Sequence, residues 1–473
     1  DMKKIIIVGG VAGGASAAAR LRRLDEEAEI IIFEKSSYVS YANCGLPYNV
    51  GGVINDEEDL LIQSTKSFYD RFRIDVRINS EVIALDSQNK KIKVKNENEI
   101  YDESYDYLIL APGSKARKMY ENEDKLGHLK TVEDLHIVKK HLENTKRIAI
   151  IGGGFIGIEL AENLIKIQKE VSVFEYADHI MPNLDDDIVY YLERELRRNN
   201  IDLRLKARIS NIEIKDDKYI IHLNDEMQEF DYVVVAAGVM PNTEFLEGSG
   251  IALNERGFII TDEYLKTNLD NVYACGDAII NKNYITGNSD VIALAGPANR
   301  QGRIIADNIY GLKNKYDGSI GTSIIKLFSL SAASTGLNTK RLDAMKYDYE
   351  TIRVHPYSHA TYYPNAKIMH AKLFYDQKTL KILGFQAVGK DGVDKFTDVI
   401  ATAIKLNSKV TDLSRLELAY APAYLSAKSP ANYLGFIAEN IINGLEEFVS
   451  VDEGLKDGNI ILDVRDEDEY SLG

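Results

Sequence analysis

One arrangement occurs twice along these 473 residues: an apolar, β-branched run, a turn crowded with glycine, a helical stretch, and a second apolar run ending in glutamate. The first copy runs through residues 3–8, then Gly9-Gly10-Val11-Ala12-Gly13-Gly14, a helical Ala/Leu/Arg pattern over 15–24, and a strand over 30–33 that ends in Glu34. The second runs through 147–151, Gly152-Gly153-Gly154-Phe155-Ile156-Gly157, a helix over 158–167, and a strand over 171–174 that ends in Glu175. Continuous apolar runs of this length, switching at glycine to a helical period, read as βαβ units with parallel strands buried on both faces. Two such units restrict the chain to the α/β class with two Rossmann-like domains.

The turns also carry chemistry. Residues 152–157 satisfy G-x-G-x-x-G between a strand and a helix, so the backbone can approach a pyrophosphate at the helix N-terminus while Glu175 accepts ribose hydroxyls. Gly152, Gly154, Phe155, Ile156, Gly157 and Glu175 are therefore the expected dinucleotide site. No arginine stands near Glu175 in the sequence, where a 2′-phosphate would need one, so NADH is the expected nucleotide and NADPH the alternative. The first copy keeps its outer glycines, Gly9 and Gly14, but places Val11 where the middle glycine normally stands, with Glu34 at the ribose position. Asn271-Val272-Tyr273-Ala274-Cys275-Gly276-Asp277 adds a Gly-Asp pair after an apolar strand, placing a carboxylate within reach of a ribityl or ribose hydroxyl. Two nucleotide sites, one of them close to a reactive thiol, point to FAD at the first and a nicotinamide at the second.

Between the copies, residues 81–100 alternate in a β pattern, and a buried strand from Tyr107 ends in the turn Ala111-Pro112-Gly113; a matching strand and turn spans 232–238. A helix is expected over 297–310, and 322–444 turns mixed, strands first and helices later, as in an α+β interface domain. The resulting division is 1–112 with 245–320 for FAD, 113–244 for NAD(P)H, 321–446 for dimerisation, and a separate fragment over 447–473. A net charge of -16 argues against nucleic-acid or anionic-membrane partners, although Arg20-Leu21-Arg22-Arg23 can hold a small anion. Two cysteines, no signal peptide and no apolar run long enough for a bilayer point to the cytoplasm. Asp1 ahead of Met2 reads as an addition to the natural start. No metal site is expected.

Cys44 lies in the turn Ser40-Tyr41-Ala42-Asn43-Cys44-Gly45-Leu46-Pro47-Tyr48, far from Cys275, so no local cysteine pair supplies a dithiol. Free cysteine is usually a small buried hydrophobe, but polar neighbours Ser40 and Asn43 and a helix start at Leu46-Pro47 favour a stabilised thiolate. A cysteine working alone needs its second sulfur from a substrate.

The paired glycine motifs and Gly276-Asp277 resemble the flavin- and pyridine-nucleotide-dependent disulfide reductases over nearly the whole chain. Ser40-Tyr41-Ala42-Asn43-Cys44 resembles the single-cysteine branch, which includes coenzyme A disulfide reductases, NADH oxidases and NADH peroxidases, with Tyr41 replacing the more usual Phe. The oxidase and peroxidase members carry a histidine where this chain has Ala12, so the resemblance favours the coenzyme A disulfide reductase group. An NADH oxidase or peroxidase, or a non-catalytic flavin redox sensor, stands as the alternative. The resemblance implies FAD contacts at Val11, Ala12, Lys35, Val82, Ala111, Gly113, Asp277 and Ala295, and nucleotide contacts at Glu159 and Gly238. It also implies a homodimer in which Tyr362 and Tyr420 of one subunit approach Cys44 of the other. A phenol can donate to, or protonate, a leaving thiolate. His355-Pro356, a pair used as base in two-cysteine reductases, reads here as structural.

Coenzyme A carries phosphates, and the resemblance places Arg20, Arg23, Ser40 and Asn43 against it, with Lys66 and Arg71 as weaker candidates. Arg20 to Arg23 could equally be a solvated helix face. Basic residues that the family has near Phe72 and Ser358 are missing here. The implied resting form is a mixed disulfide between Cys44 and coenzyme A, and the implied substrate is a small-molecule disulfide or persulfide. Residues 459–470, an apolar strand followed by Asp463-Val464-Arg465 and an acidic stretch, resemble the opening of a rhodanese domain that the chain does not complete.

Overall fold

The computed structural model describes residues 2–224 and 226–471; Asp1 lies outside them. Both βαβ units form. In the first sheet five strands run in the order Val272–Ala274, Tyr107–Leu110, Lys4–Val8, Glu29–Phe33, Asp75–Arg77, all parallel. Ile5, Ile6 and Ile7 have no exposed surface, which is why this strand shows no alternation: both its faces are covered. The helices Ala12–Leu24 and Ala295–Ile309 pack against each other beside the sheet. They meet at glycine, since a Cβ at Gly302 would stand 2.2 Å from the Gly13 carbonyl oxygen. Val82, Leu85, Ile92 and Val94 of the three-stranded sheet over 81–104 belong to the same core.

The second sheet has the order Asp202–Arg204, Glu170–Phe174, Arg147–Ile151, Tyr232–Val235, again parallel. Its core takes in the helices Val132–Leu142, Phe155–Lys166 and Asp186–Arg198. Two short antiparallel strands, Ser114–Ala116 and Val239–Pro241, form the ribbon by which the chain enters and leaves this unit. A third, antiparallel sheet has the order Ser323–Leu327, Leu330–Gly336, Ile382–Gly389, Met369–Asp376, Tyr349–Val354, and shares a core with the helices Val393–Lys405 and Pro430–Ile442.

Both Rossmann helices begin earlier than expected, at Ala12 and Phe155, because the last residues of each glycine-rich turn already form the first helical turn. The strand expected over 459–462 does not form. Ile460, Ile461, Leu462 and Val464 are exposed, and among the described residues no strand pairs with them; a lone strand leaves its amides to water and is not stable. No helix among the described residues is long and apolar enough to cross a membrane.

Candidate active site

The two glycine-rich turns have matching geometry. Gly9 and Gly152 take φ of 95° and 112°, a region that L side chains avoid. A Cβ at Gly14 would lie 1.9 Å from the Gly9 carbonyl oxygen, and one at Gly157 would lie 2.0 Å from that of Gly152, so each final glycine lets helix and strand touch. Neither helix has a side-chain cap at its N-terminus, leaving first-turn N–H groups open to an anion. Glu34 accepts from Gly10 N at 2.8 Å and Ser36 N at 3.0 Å; Glu175 accepts from Gly153 N at 2.7 Å and Ala177 N at 2.8 Å. Each carboxylate is thus fixed beside its turn with lone pairs left for ribose hydroxyls. These features fit two dinucleotides.

A cavity of about 520 Å³ opens beside the first turn. Gly9, Val11, Ala12, Glu34 and Lys35 line it, together with Ala111, Gly113, Asp277 and Ala295. Cys44 and Asn43 reach the same cavity from a single helical turn, Asn43–Gly45, that leads into the helix Leu46–Val50. Val82 lies outside this lining, buried in the strand Glu81–Asp86. Gly14 serves the helix–strand contact described above.

Lys130 and Ser114, which line this cavity, went unread in the sequence. Lys130 Nζ donates to Ser114 Oγ at 2.5 Å, and Ser114 Oγ donates to Asp277 Oδ2 at 3.1 Å. Burial lowers the Lys130 pKa, while Asp277 and Asp134 hold it up. Lys130 stands just ahead of the capping box formed by Thr131 and Asp134, so the box marks where the helix starts but not what its preceding residue faces.

The thiol environment differs from the sequence reading. Cys44 keeps an exposed face, yet partial burial pushes its thiol up, and the carboxylates of Glu159 and Asp277 push it further. Its Sγ donates to Asn43 Oδ1 at 3.7 Å, a contact that favours the neutral thiol. Ser40 gives the thiolate no direct help: it is buried at φ 48°, its backbone N donating to Gly10 O and its carbonyl accepting from Ile62 N. Cys275 is sealed in the core, its thiol pushed up to about 12 by burial.

Glu159, in the second Rossmann helix, accepts from Tyr48 Oη at 3.3 Å, and burial raises it to about 7, with Glu162 adding to the rise. The contact joins the cysteine-bearing segment to the nucleotide-binding unit. Phe155 lines a separate cavity of about 350 Å³ where Leu294 and Arg341 of other segments meet it, and Ile156 follows it in the first turn. Gly154 has open space where a Cβ would stand, and Gly238 takes φ 71° beside the connecting ribbon.

Of the residues expected to hold coenzyme A, only Asn43 shares the cavity with Cys44. Arg20 Nε is paired with Asp307 at 2.7 Å, Lys66 with Asp70, Arg23 is exposed, and Arg71 is exposed above the Phe72 ring. Tyr362 and Tyr420 meet each other instead, their hydroxyls 2.7 Å apart, in a cavity of about 600 Å³ shared with Lys428 and Arg353. That cavity and the Cys44 cavity have no lining residue in common within one chain. His355 Nδ1 lies 2.8 Å from His370 Nδ1, and His370 stacks on Tyr191. Among the described residues no cluster of side chains could hold a metal ion.

Residues 3–302 match the pyridine nucleotide-disulphide oxidoreductase family model, and 322–429 match the dimerisation domain of the same family. The chain belongs to this family. It is accordingly an FAD-dependent oxidoreductase that uses a pyridine nucleotide, and the expectation of a non-catalytic sensor falls away. Coenzyme A disulfide reductase of Staphylococcus epidermidis is 34% identical over 93% of this chain and all of its own length. The structure of reduced Bacillus anthracis CoADR-RHD matches with a TM-score of 0.96 and 42% identity, covering 100% of this chain and 87% of that one. A NAD-dependent persulfide reductase from A. fulgidus matches with a TM-score of 0.92 and 34% identity, covering 96% and 86%.

Proposed function

We propose that this oxidoreductase is a cytoplasmic homodimer that reduces coenzyme A disulfide, or a coenzyme A persulfide or polysulfide, with NAD(P)H through Cys44 alone. The observation that carries the reading is the contrast between the two thiols: Cys44 opens into the cavity between Asn43 and Asp277, while Cys275 is sealed away. A single working thiol must take its second sulfur from the substrate, and relatives named for coenzyme A disulfide and persulfide reduction support that substrate class.

The overall change is NAD(P)H, a proton and R–S–S–CoA giving NAD(P)+, RSH and coenzyme A thiol. FAD, when bound, relays the electron pair from nicotinamide to sulfur. Glu34, Asp277 with Ser114 and Lys130, and the Gly9 turn would hold it. The chain's own residues do the sulfur chemistry. The Cys44 thiolate attacks the sulfur attached to coenzyme A, RSH leaves with a proton, and the resulting Cys44–S–S–CoA bond is cleaved by the electron pair and a second proton. Tyr362 and Tyr420, reaching the cavity from the second subunit, donate to the departing sulfur; their hydroxyls already share one hydrogen bond, so the pair presents one free donor. Arg20 and Arg23, with Lys66 and Arg71 as weaker candidates, are the proposed partners of the coenzyme A phosphates, Arg20 and Lys66 giving up Asp307 and Asp70 to reach them.

The test is Cys44→Ser. Flavin reduction by NADH is expected to persist while turnover of coenzyme A disulfide disappears, and the denatured mass of the wild type should exceed that of the variant by one coenzyme A, lost on reduction. Retained disulfide turnover sinks the reading. Steady oxygen consumption with NADH alone, and an unmodified thiol, would favour the oxidase alternative.

A further inference from the structure

The loop after Glu175 has a partner that sequence adjacency hides. Glu175 N donates to Arg204 O, Ala207 N to Glu175 O, and Lys206 N to Ala177 O, each at 2.8 Å, so residues 204–207 are laced to the strand end that carries the ribose acceptor. Lys206 turns the chain at φ 54°, and Arg208 then comes over the face of Tyr176, its guanidinium carbon 6.0 Å from the ring centroid. Tyr176 is 70% exposed, and Arg208 is exposed too. Arg204, in contrast, is spent on Asp202 at 2.9 Å. No carboxylate of the described residues lies within ion-pair distance of Arg208.

The charges explain what this arrangement can select. Both Glu175 oxygens take a backbone N–H, so the carboxylate cannot swing away, and the exposed Asp178 adds a second negative charge to the loop. A ribose with a free 2′-hydroxyl donates to Glu175, but a 2′-phosphate meets two carboxylates and needs a cation. A guanidinium lying on an aromatic ring keeps its N–H edge free and is already ordered, so little rotamer entropy is lost when it takes a phosphate.

We propose that Arg208, shelved on Tyr176 and assisted by Lys206, is the group that lets this nucleotide site accept NADPH as well as NADH. The inference rests on the NAD(P)H reading of the second glycine turn. It departs from the expectation that NADH is the preferred nucleotide, which rested on the lack of an arginine beside Glu175 in the sequence.

The test is calorimetric titration of the FAD-loaded enzyme with AMP and with adenosine 2′,5′-bisphosphate, which differ only in the 2′-phosphate. In the wild type the bisphosphate should bind at least as tightly as AMP. Arg208→Ala should weaken the bisphosphate about tenfold or more, in line with loss of a charge-assisted hydrogen bond, and move AMP less than about twofold. Arg208→Lys should keep part of the preference, as expected for a charge without the planar fork. An unchanged ratio of the two affinities in Arg208→Ala overturns the assignment of Arg208 and leaves the nucleotide site standing. Binding of neither compound overturns the nucleotide site and the assignment with it.

Discussion

Lys372 ties the second nucleotide-binding unit to the C-terminal sheet, and replacing it with methionine should cost about 3 kcal/mol. Its side chain is 3% exposed, and Nζ stands 2.7 Å from both Asp185 and Asp187 at the start of the helix Asp186–Arg198. Asp185 is 7% exposed and also accepts from Thr339 N at 3.1 Å and Thr339 Oγ1 at 2.6 Å. Removing one partner of a buried pair costs about 3–5 kcal/mol. The lower end applies here, because Asp185 keeps its Thr339 bonds and the more exposed Asp187 keeps Arg353 at 3.1 Å, an arm worth at most about 1 kcal/mol. The chain has no tryptophan, so urea unfolding is best followed by far-UV circular dichroism. In an Asp185→Asn background the same substitution should cost at least about 1 kcal/mol less, since no buried charge is left behind. Burial opposes ionisation of Asp187, but the bonds from Lys372 and Arg353 outweigh it and hold its carboxyl below the usual range. A depressed folded-state pKa contributes stability above the unfolded value of about 4, lost as pH falls through the folded value, so the deficit of Lys372→Met should shrink in acid. A loss under about 1 kcal/mol at pH 7, or equal losses in both backgrounds, would refute the idea of a buried clasp.

Gly14→Ala and Gly157→Ala each drive a Cβ into a backbone oxygen and should cost roughly 1–3 kcal/mol. The first should shed flavin, seen as lost visible absorbance after desalting, and the second should keep flavin and weaken nicotinamide binding, seen by titration. Because burial and the charges of Glu159 and Asp277 raise the Cys44 thiol, its alkylation rate in the reduced enzyme should climb with pH through a midpoint above the ordinary thiol value. Glu159→Gln should lower that midpoint, and an unmoved midpoint would remove Glu159 from the thiol's environment. Cys275 should resist alkylation in the native enzyme, and Cys275→Ala should leave disulfide turnover intact; modification without unfolding would contradict its sealed position.

Much of the frame was legible because its cause is local. The fully buried strands Lys4–Val8 and Arg147–Ile151 announce themselves as unbroken apolar runs, and the glycines between strand and helix are required by contacts of about 2 Å that no side chain survives. The site was less legible because its electrostatics come from residues remote in sequence. Ser40 and Asn43 flank Cys44 along the chain, but the charges that set its thiol are those of Glu159 and Asp277, brought in by two different helical turns. Arg208 escaped notice for the same reason: it reaches Tyr176 through backbone lacing between two strand ends, which no sequence window around Glu175 contains. The lone strand expected over 459–462 failed in the opposite way, since a local pattern cannot supply the neighbour a strand needs.

The duplicated units differ in one respect that bears on how they work. Glu34 and Glu175 accept from equivalent pairs of backbone N–H groups, yet Glu34 is only 7% exposed while Glu175 is half-buried. The cause is the chain that follows each strand. After Glu34, residues 36–62 fold back over the turn, with Ser40 N donating to Gly10 O at 2.8 Å and Ile62 N to Ser40 O at 2.9 Å, and they carry Cys44 into the cavity on the way. After Glu175 the chain makes the same return, Met181 N donating to Gly153 O at 2.9 Å, but it then leads into the helix Asp186–Arg198 and leaves the acceptor beside the edge segment that carries Arg208. A buried ribose acceptor suits a group that stays, and a half-buried one suits a group that must leave after every hydride. The loop that roofs the first site is also the loop that bears the thiol, so closing the flavin site and placing Cys44 are one folding event. Substitutions that loosen the roof, such as Ser40→Pro, which deletes the N–H donated to Gly10 and demands negative φ where the chain holds 48°, should lose flavin and disulfide turnover together. Flavin content held at wild-type level with turnover abolished would separate the two and refute that coupling.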